Sequence, residues 1–547
     1  MRRGWLACLV AVTLVGNAAL LGAAQPASAS LPQLTTTGSS FAGVAITQWQ
    51  GQFNELYGGN INFTVSSSII GMNDFCSKTV DYGATDISYS TEQSNCITSQ
   101  VPYPFQYMPD VAGGLAFEYN LAGQNGQAIN NLVLNDSIIV GIFTGGIQNW
   151  DNPAIQALNP DVRLPNEQIT AYYRSDPSGE NYLLSDYMLH TDPAPITAFQ
   201  KLATIPTPPG QPSATWASFT NGTPAGLSSL VPVNGSDAAS QGPVHQPGGI
   251  AYVETAYAKN VGLPVASVVN AAGNAVQPSS YNVAVALTGA ILYSDLTQNL
   301  GGVYTNPQAD AYPISAYSYF VAQCVPAAAA AQSFSCDSSG TVTMGTAQGA
   351  ELAQFITYVA CLGQENMAQL GYSPLPANLV EDDFQAAGRL PGGTEPAPPT
   401  AANCKNPYID GQLQPVGNPQ QVNTTNPGSD VGTTAGPTTA AATAGASAGT
   451  SGSVAGASGA AAPSAASPAA AAAQAAAAKD EIKRALNPLA GPGAYKRADA
   501  IDAAASGALL GWSPVEIALW CSLFALLLVG VPLGVYLRQR RRPTASR

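Results

Sequence analysis

An α/β fold with largely parallel strand pairing is predicted, because three stretches share one plan and strands alternate with helices between them. In each stretch a β-rich segment runs into a small polar turn and then into a helix. LTTTGSSFAGVAITQWQGQF (34–53) turns at Gly38, Ser39 and Ser40, then sets Ala45, Trp49 and Phe53 at helical spacing. INFTVSSSIIGMNDF (61–75) alternates Ile61, Phe63 and Val65 as a strand does, turns at Ser66, Ser67 and Ser68, and enters a short helical run. YYRSDPSGENYLL (172–184) places Ser178 and Gly179 where a helix begins, with Leu183, Leu184, Tyr187 and Met188 as its buried stripe.

The 547 residues exceed one core, and the two ends read differently from the middle. Residues 1–29 read as a secretory signal peptide: Arg2 and Arg3 lead, Leu6 to Leu21 is apolar, and small residues end at Ala29. Residues 30–410 read as the globular head. Residues 411–514 read as a disordered stalk: Val431 to Ala478 carries no charge and is dominated by Ala, Thr, Gly, Ser and Pro, which cannot bury a core. Residues 517–537 are uncharged and apolar, and about 20 such residues span a bilayer as one transmembrane helix. Arg538, Arg540, Arg541 and Arg542 follow, marking residues 538–547 as a basic cytoplasmic tail. The head is thereby expected on the extracellular face, anchored at its C-terminus by a single pass.

The formal net charge is −14, and the head is more acidic still once the arginines at both ends are set aside. Such a body repels nucleic acid and does not attract anions from afar, so an anion would have to be held by local dipoles. Setting aside Cys8 and Cys521, six cysteines remain, an even number that suits disulfides in an exported chain. Pairing sequence neighbours would give Cys76–Cys96, Cys324–Cys336 and Cys361–Cys404, although spacing alone leaves the connectivity open. A zinc site is the weaker alternative: no C-x-x-C occurs, and His190 and His245 are the only histidines. No cofactor is expected.

Helix starts expose free N–H groups and a partial positive charge. One serine at a helix start is best read as an ordinary cap. Three such starts, together with Arg174, suggest convergence on one anion. VDYGATDISYS (80–90) reads as a strand from Val80 to Ala84, closed by Thr85 and Asp86. Asp86 reads blandly as a turn residue. Beside an anion, it would repel any ligand without a proton to donate. Hydrogen phosphate has such a proton at neutral pH and sulfate does not, so an acid here would select between them.

With these residues in hand, the chain resembles the phosphate-binding proteins of Pst-type ABC transporters (PstS-like, periplasmic-binding-protein superfamily) from about residue 34 to about residue 387. The resemblance is carried, in order, by TGSSFAGVAITQW, VDYGATDISYS, GGIQNWDNPAIQALNPDVRLPNEQITAYYRSDPSGENYLLSDYM, GGIAYVETAYAKNVGLP and YSPLPANLV. It implies a two-lobed periplasmic-binding-protein fold with a hinge, lobe one at about 31–115 and 260–410 and lobe two at about 116–259. It implies a phosphate site in the interlobe cleft: Ser40 and the backbone of Phe41 from the first turn, Ser68 from the second, Asp86 as proton acceptor, Arg174 held by Asp176, and Ser178 and Gly179 from the third helix start. The implied partners are inorganic phosphate and an ABC-type phosphate permease, with a monomer expected and no catalysis.

Three departures stand out. Glu180 stands where the family usually has threonine, leaving its role open, with Asn181 as a substitute donor. SSSIIG replaces a more glycine-rich run, and Pro177 replaces a common glycine. Glu180 and the membrane anchor keep an alternative in view, a surface adhesin or sensor with a different or lost ligand. An enzyme such as a phosphatase is disfavoured, since the sequence shows no paired histidines and no Ser-His-Asp spacing.

Overall fold

The computed structural model describes residues 31–203, 205–217, 227–326, 336, 340–414 and 416–422. The stretches expected to be a signal peptide, a transmembrane segment and a basic tail, and nearly all of the expected stalk, lie outside the described residues. Among the described residues no helix is long and apolar enough to cross a membrane.

One curled sheet of eight strands organises the head. Its strands are β1 (Leu34–Gly38), β2 (Ile61–Val65), β3 (Tyr82–Thr85), β4 (Phe105–Asn120), β5 (Thr170–Arg174), β6 (Leu230–Val233), β7 (Gly249–Glu254) and β8 (Ser315–Gln323). Their order across the sheet is β2-β1-β3-β8-β4-β7-β5-β6. The two flanks are parallel, as the strand–turn–helix plan requires: β1 with β2 and β3, and β5 with β6 and β7.

The middle corrects the expectation of largely parallel pairing. There β8 runs antiparallel to both β3 and β4, and β4 runs antiparallel to β7. The cause is β4, 16 residues long, which pairs with β8 as far as Gly114 and with β7 from Leu115 onward. One strand thus belongs to both lobes of this two-lobed fold. A register shift between Ser318 and Tyr319 of β8 leaves Asp110 of β4 without a cross-strand partner, next to Pro109, which has no N–H to give the ladder.

One buried cluster runs through both lobes, and a second lies within the first lobe. In that lobe the helix Gly43–Tyr57 lays Ala45, Trp49 and Phe53 against the sheet at the spacing expected. The helix Thr346–Ala360 covers the same face, and the Phe53 and Phe355 rings meet edge-on at 5.2 Å between centroids. The Trp49 indole N–H donates to the Gly363 carbonyl at 2.8 Å. Val65 departs from the expected alternation and lies exposed at the end of the outer strand β2. In the second lobe Tyr252 packs between Phe143 and Trp216.

Cys76–Cys96, Cys324–Cys336 and Cys361–Cys404 are all disulfide-bonded. The fold also runs past residue 410, where the stalk was placed. Gln420–Gln421 adds a parallel strand to Ile291–Leu292, and Val416 packs against the core.

Candidate functional site

The site lies where strand ends and helix starts of both lobes meet. On the first lobe, β1 ends at Gly38, whose φ of +137° an L side chain rarely adopts and whose added Cβ would stand 1.9 Å from the Ala84 carbonyl oxygen. That contact holds the turn after β1 against the end of β3. Ser39 consequently donates to Asp86 Oδ1 at 2.5 Å. Ser68, first residue of the helix Ser68–Cys76, donates to Asp86 Oδ2 at 2.6 Å. Its neighbour Ser67 is the cap, accepting the Ile70 N–H.

On the second lobe, Arg174 ends β5 with 1% of its surface exposed. Its N–H donates to the Tyr252 hydroxyl at 3.1 Å. Nε and Nη2 form a fork on the two Asp176 oxygens, and the Gly235 N–H also donates to Asp176, at 2.9 Å. Nη1 donates to Ser40 Oγ at 2.9 Å, Glu180 Oε1 at 3.0 Å and Ser236 Oγ at 2.7 Å. Ser40 and Ser236 in turn donate to Glu180 Oε1 at 3.0 and 2.7 Å.

The lobes touch here. Ser40 of the first bonds Arg174 and Glu180 of the second, and a Cβ on Gly179 would lie 2.6 Å from Ser68 Oγ. The helix Gly179–Thr191 therefore points its first turn at the Asp86 carboxylate. Burial, and then the charge of Glu180, push the Asp86 pKa up to about 7, against the opposing hydrogen bonds of Ser39, Ser68 and Ser318. Burial works against the Arg174 charge, but Glu180 and then Asp176 outweigh it and hold its pKa above the ordinary value. Burial also opposes ionisation of Asp176, yet its fork with Arg174 holds it below the usual carboxylate range.

Ser40, Ser68, Asp86, Arg174, Asp176 and Gly179 are thus brought together, and Glu180 joins them. Ser178 stands beside them as a helix cap, its hydroxyl accepting the Asn181 N–H at 3.2 Å. Phe41 is buried, with its carbonyl accepting from Tyr372 at 2.7 Å. Asn181 does not supply the substitute donor anticipated for it. Its amide bridges the carbonyls of Arg174, Asp176 and Ala214 and accepts from Tyr252, so it braces the loop from behind.

Sequence reasoning missed Ser39 as an Asp86 donor and missed Ser236 altogether. The signal for Ser236 was present. LVPVNGSDAAS (230–240) is a fourth strand, small polar turn and helix, here β6 followed by the helix Gly235–His245.

A sheet shared by two facing lobes, with helix starts, one buried guanidinium and a buried acid brought together between them, is the arrangement of a bilobal binding-protein fold. Residues 23–361 match the family model of the PBP superfamily domain, and the chain belongs to that superfamily. It is 27% identical over 358 residues to the phosphate-binding protein PstS 3 of Mycobacterium tuberculosis, covering 64% of this chain and 84% of that one. It is 27% identical over 394 residues to the phosphate-binding protein PstS of Xylella fastidiosa, covering 69% and 94%. A solved phosphate-binding protein from Stenotrophomonas maltophilia overlays with a TM-score of 0.44 at 19% identity, covering 72% of this chain and all of that one.

Proposed function

We propose that this chain captures inorganic phosphate in the interlobe cleft and delivers it to an ABC-type phosphate permease. The observation that carries the reading is Asp86, a buried acid whose two oxygens already accept from Ser39 and Ser68 and which faces the start of the helix Gly179–Thr191. An anion drawn by that helix start and by Arg174 meets an acceptor, so the favoured anion is one that keeps a proton. The relatives named as phosphate-binding proteins point the same way. The site offers donors, a fixed cation and a proton acceptor, which suits capture rather than catalysis. The cradle favours this over an adhesin or sensor that has lost its ligand.

The apolar segment 517–537 and the arginines after it support a single-pass anchor with the head outside the cell. The uncharged run from Val431 to Ala478 supports a stalk that sets the head away from the membrane.

Calorimetry on the full-length chain in detergent tests the function. Phosphate is titrated first and sulfate second, near neutral pH. Binding of phosphate with sulfate silent is the expected result. Equal binding of both anions, or of neither, refutes it.

A further inference from the structure

Glu180 is the acid that the anion cradle does not explain. Only 1% of its surface is exposed. Its Oε1 receives three donors, Ser40, Ser236 and Arg174, and these donors come from three separate segments of the chain. Its Oε2 is buried and has no hydrogen-bond partner among the described residues. A carboxylate oxygen in that position calls for a donor.

The surroundings limit what the donor can be. Among the described residues Arg174 is the one cation whose charge acts on this cluster, and it is already forked onto Asp176. Asp86 at the end of β3 repels Glu180. From β7, Tyr252 and Glu254 feel the Glu180 charge, as does Tyr257 from the helix Thr255–Val261, and burial first of all raises the pKa of all three. Asp237 faces Tyr257 from the helix Gly235–His245. An anion entering without protons would meet two carboxylates, Asp86 and Glu180, with a single guanidinium to offset them.

We propose that Glu180 is a second proton-reading group of the cleft, so that phosphate is held with two acidic protons, one facing Asp86 and one facing Glu180. The inference rests on the phosphate-capture reading. The bound species is then equivalent to dihydrogen phosphate between two carboxylates. Dihydrogen phosphate brings both protons itself. Hydrogen phosphate brings one and the complex takes the other from solvent. The buried Oε2 accepts the second proton's hydrogen bond, while Oε1 keeps Ser40, Ser236 and Arg174 in place.

The test counts protons. Inorganic phosphate is titrated into the full-length chain in detergent at pH 8.5, in buffers of differing ionisation heat. At that pH free phosphate carries one proton, and Asp86, with its pKa about 7, is ionised. The wild type should take up close to one proton per phosphate bound, and its affinity should fall about tenfold per pH unit on the alkaline side. Glu180→Gln and Glu180→Thr should bind with no uptake and a flat alkaline profile. Wild-type binding without proton uptake overturns the inference while leaving phosphate capture standing. So does an unchanged proton count in either variant. If neither the wild type nor the variants bind phosphate at any pH, the capture reading fails and this inference falls with it. Should both variants misfold, a wild-type count near zero still overturns the inference.

Discussion

Gly179 lies directly against Asp86 across the cleft: a Cβ added to Gly179 would come 2.3 Å from Asp86 Oδ2 and 2.9 Å from Asp86 Cβ. The Asp86 carboxylate cannot swing aside easily, because Ser39 and Ser68 hold both of its oxygens. The substitution Gly179→Ala therefore acts as a wedge between the lobes and leaves the interior of each lobe alone. It should lower phosphate affinity at least a hundredfold, equivalent to about 3 kcal/mol, with little change in Tm. Small-angle scattering should show phosphate compacting the wild type and not the variant. Compaction of both would sink the idea.

Asp86 is the acceptor that sulfate cannot satisfy. In Asp86→Asn the amide can turn its NH2 group toward an unprotonated oxygen, so the penalty against sulfate is removed. Phosphate should bind more weakly than to the wild type, and sulfate measurably better. Competition between the two anions checks this. A variant that still excludes sulfate would place the selectivity elsewhere.

Ser236 gives a charge-assisted hydrogen bond to Glu180 and receives one from Arg174. Hydrogen bonds to charged groups contribute about 1.5–3 kcal/mol each. Ser236→Ala should weaken phosphate binding by about tenfold to a hundredfold. Titration calorimetry reads the change, and an unaltered affinity would remove Ser236 from the site.

What was legible in the sequence was local chemistry. Ser40, Ser68, Asp86 and Arg174 could be found because each occupies a strand end or helix start whose pattern fits within about fifteen residues. Ser236 obeys the same pattern and was legible in principle. The antiparallel middle of the sheet was not, because β8 arrives more than 200 positions later to lie between β3 and β4, as its pairing of Tyr319 with Thr85 shows. No local periodicity records such an insertion. The part played by Asn181 was hidden for a similar reason: its partners Ala214 and Tyr252 are distant in the chain. Glu180 could be singled out as a misfit, but only the fold places Ser236 on its oxygen.

Glu118 contributes to the pH dependence of stability, apart from any ligand. It lies in β4 facing Ala251 of β7, fully buried, with Oε2 accepting from Ser240 at 3.2 Å and Oε1 without a partner among the described residues. Burial pushes its pKa up to about 8, and the Ser240 hydroxyl offsets this only in part. A carboxyl raised in the folded state holds its proton more tightly there than in the unfolded chain. Its stabilising contribution is whole below the unfolded carboxylate range and is lost as pH rises through about 8. Asp86, at about 7, acts with the same sign. The Tm of the protein without phosphate should therefore fall as pH climbs from about 5 to about 9. In Glu118→Gln the neutral amide replaces a carboxyl that is already neutral at low pH, so the variant should match the wild type near pH 5 and melt higher near pH 9. Thermal melts of both proteins across that range test the assignment. A variant that melts no higher than the wild type near pH 9, or that loses stability equally at both ends, would overturn the assignment.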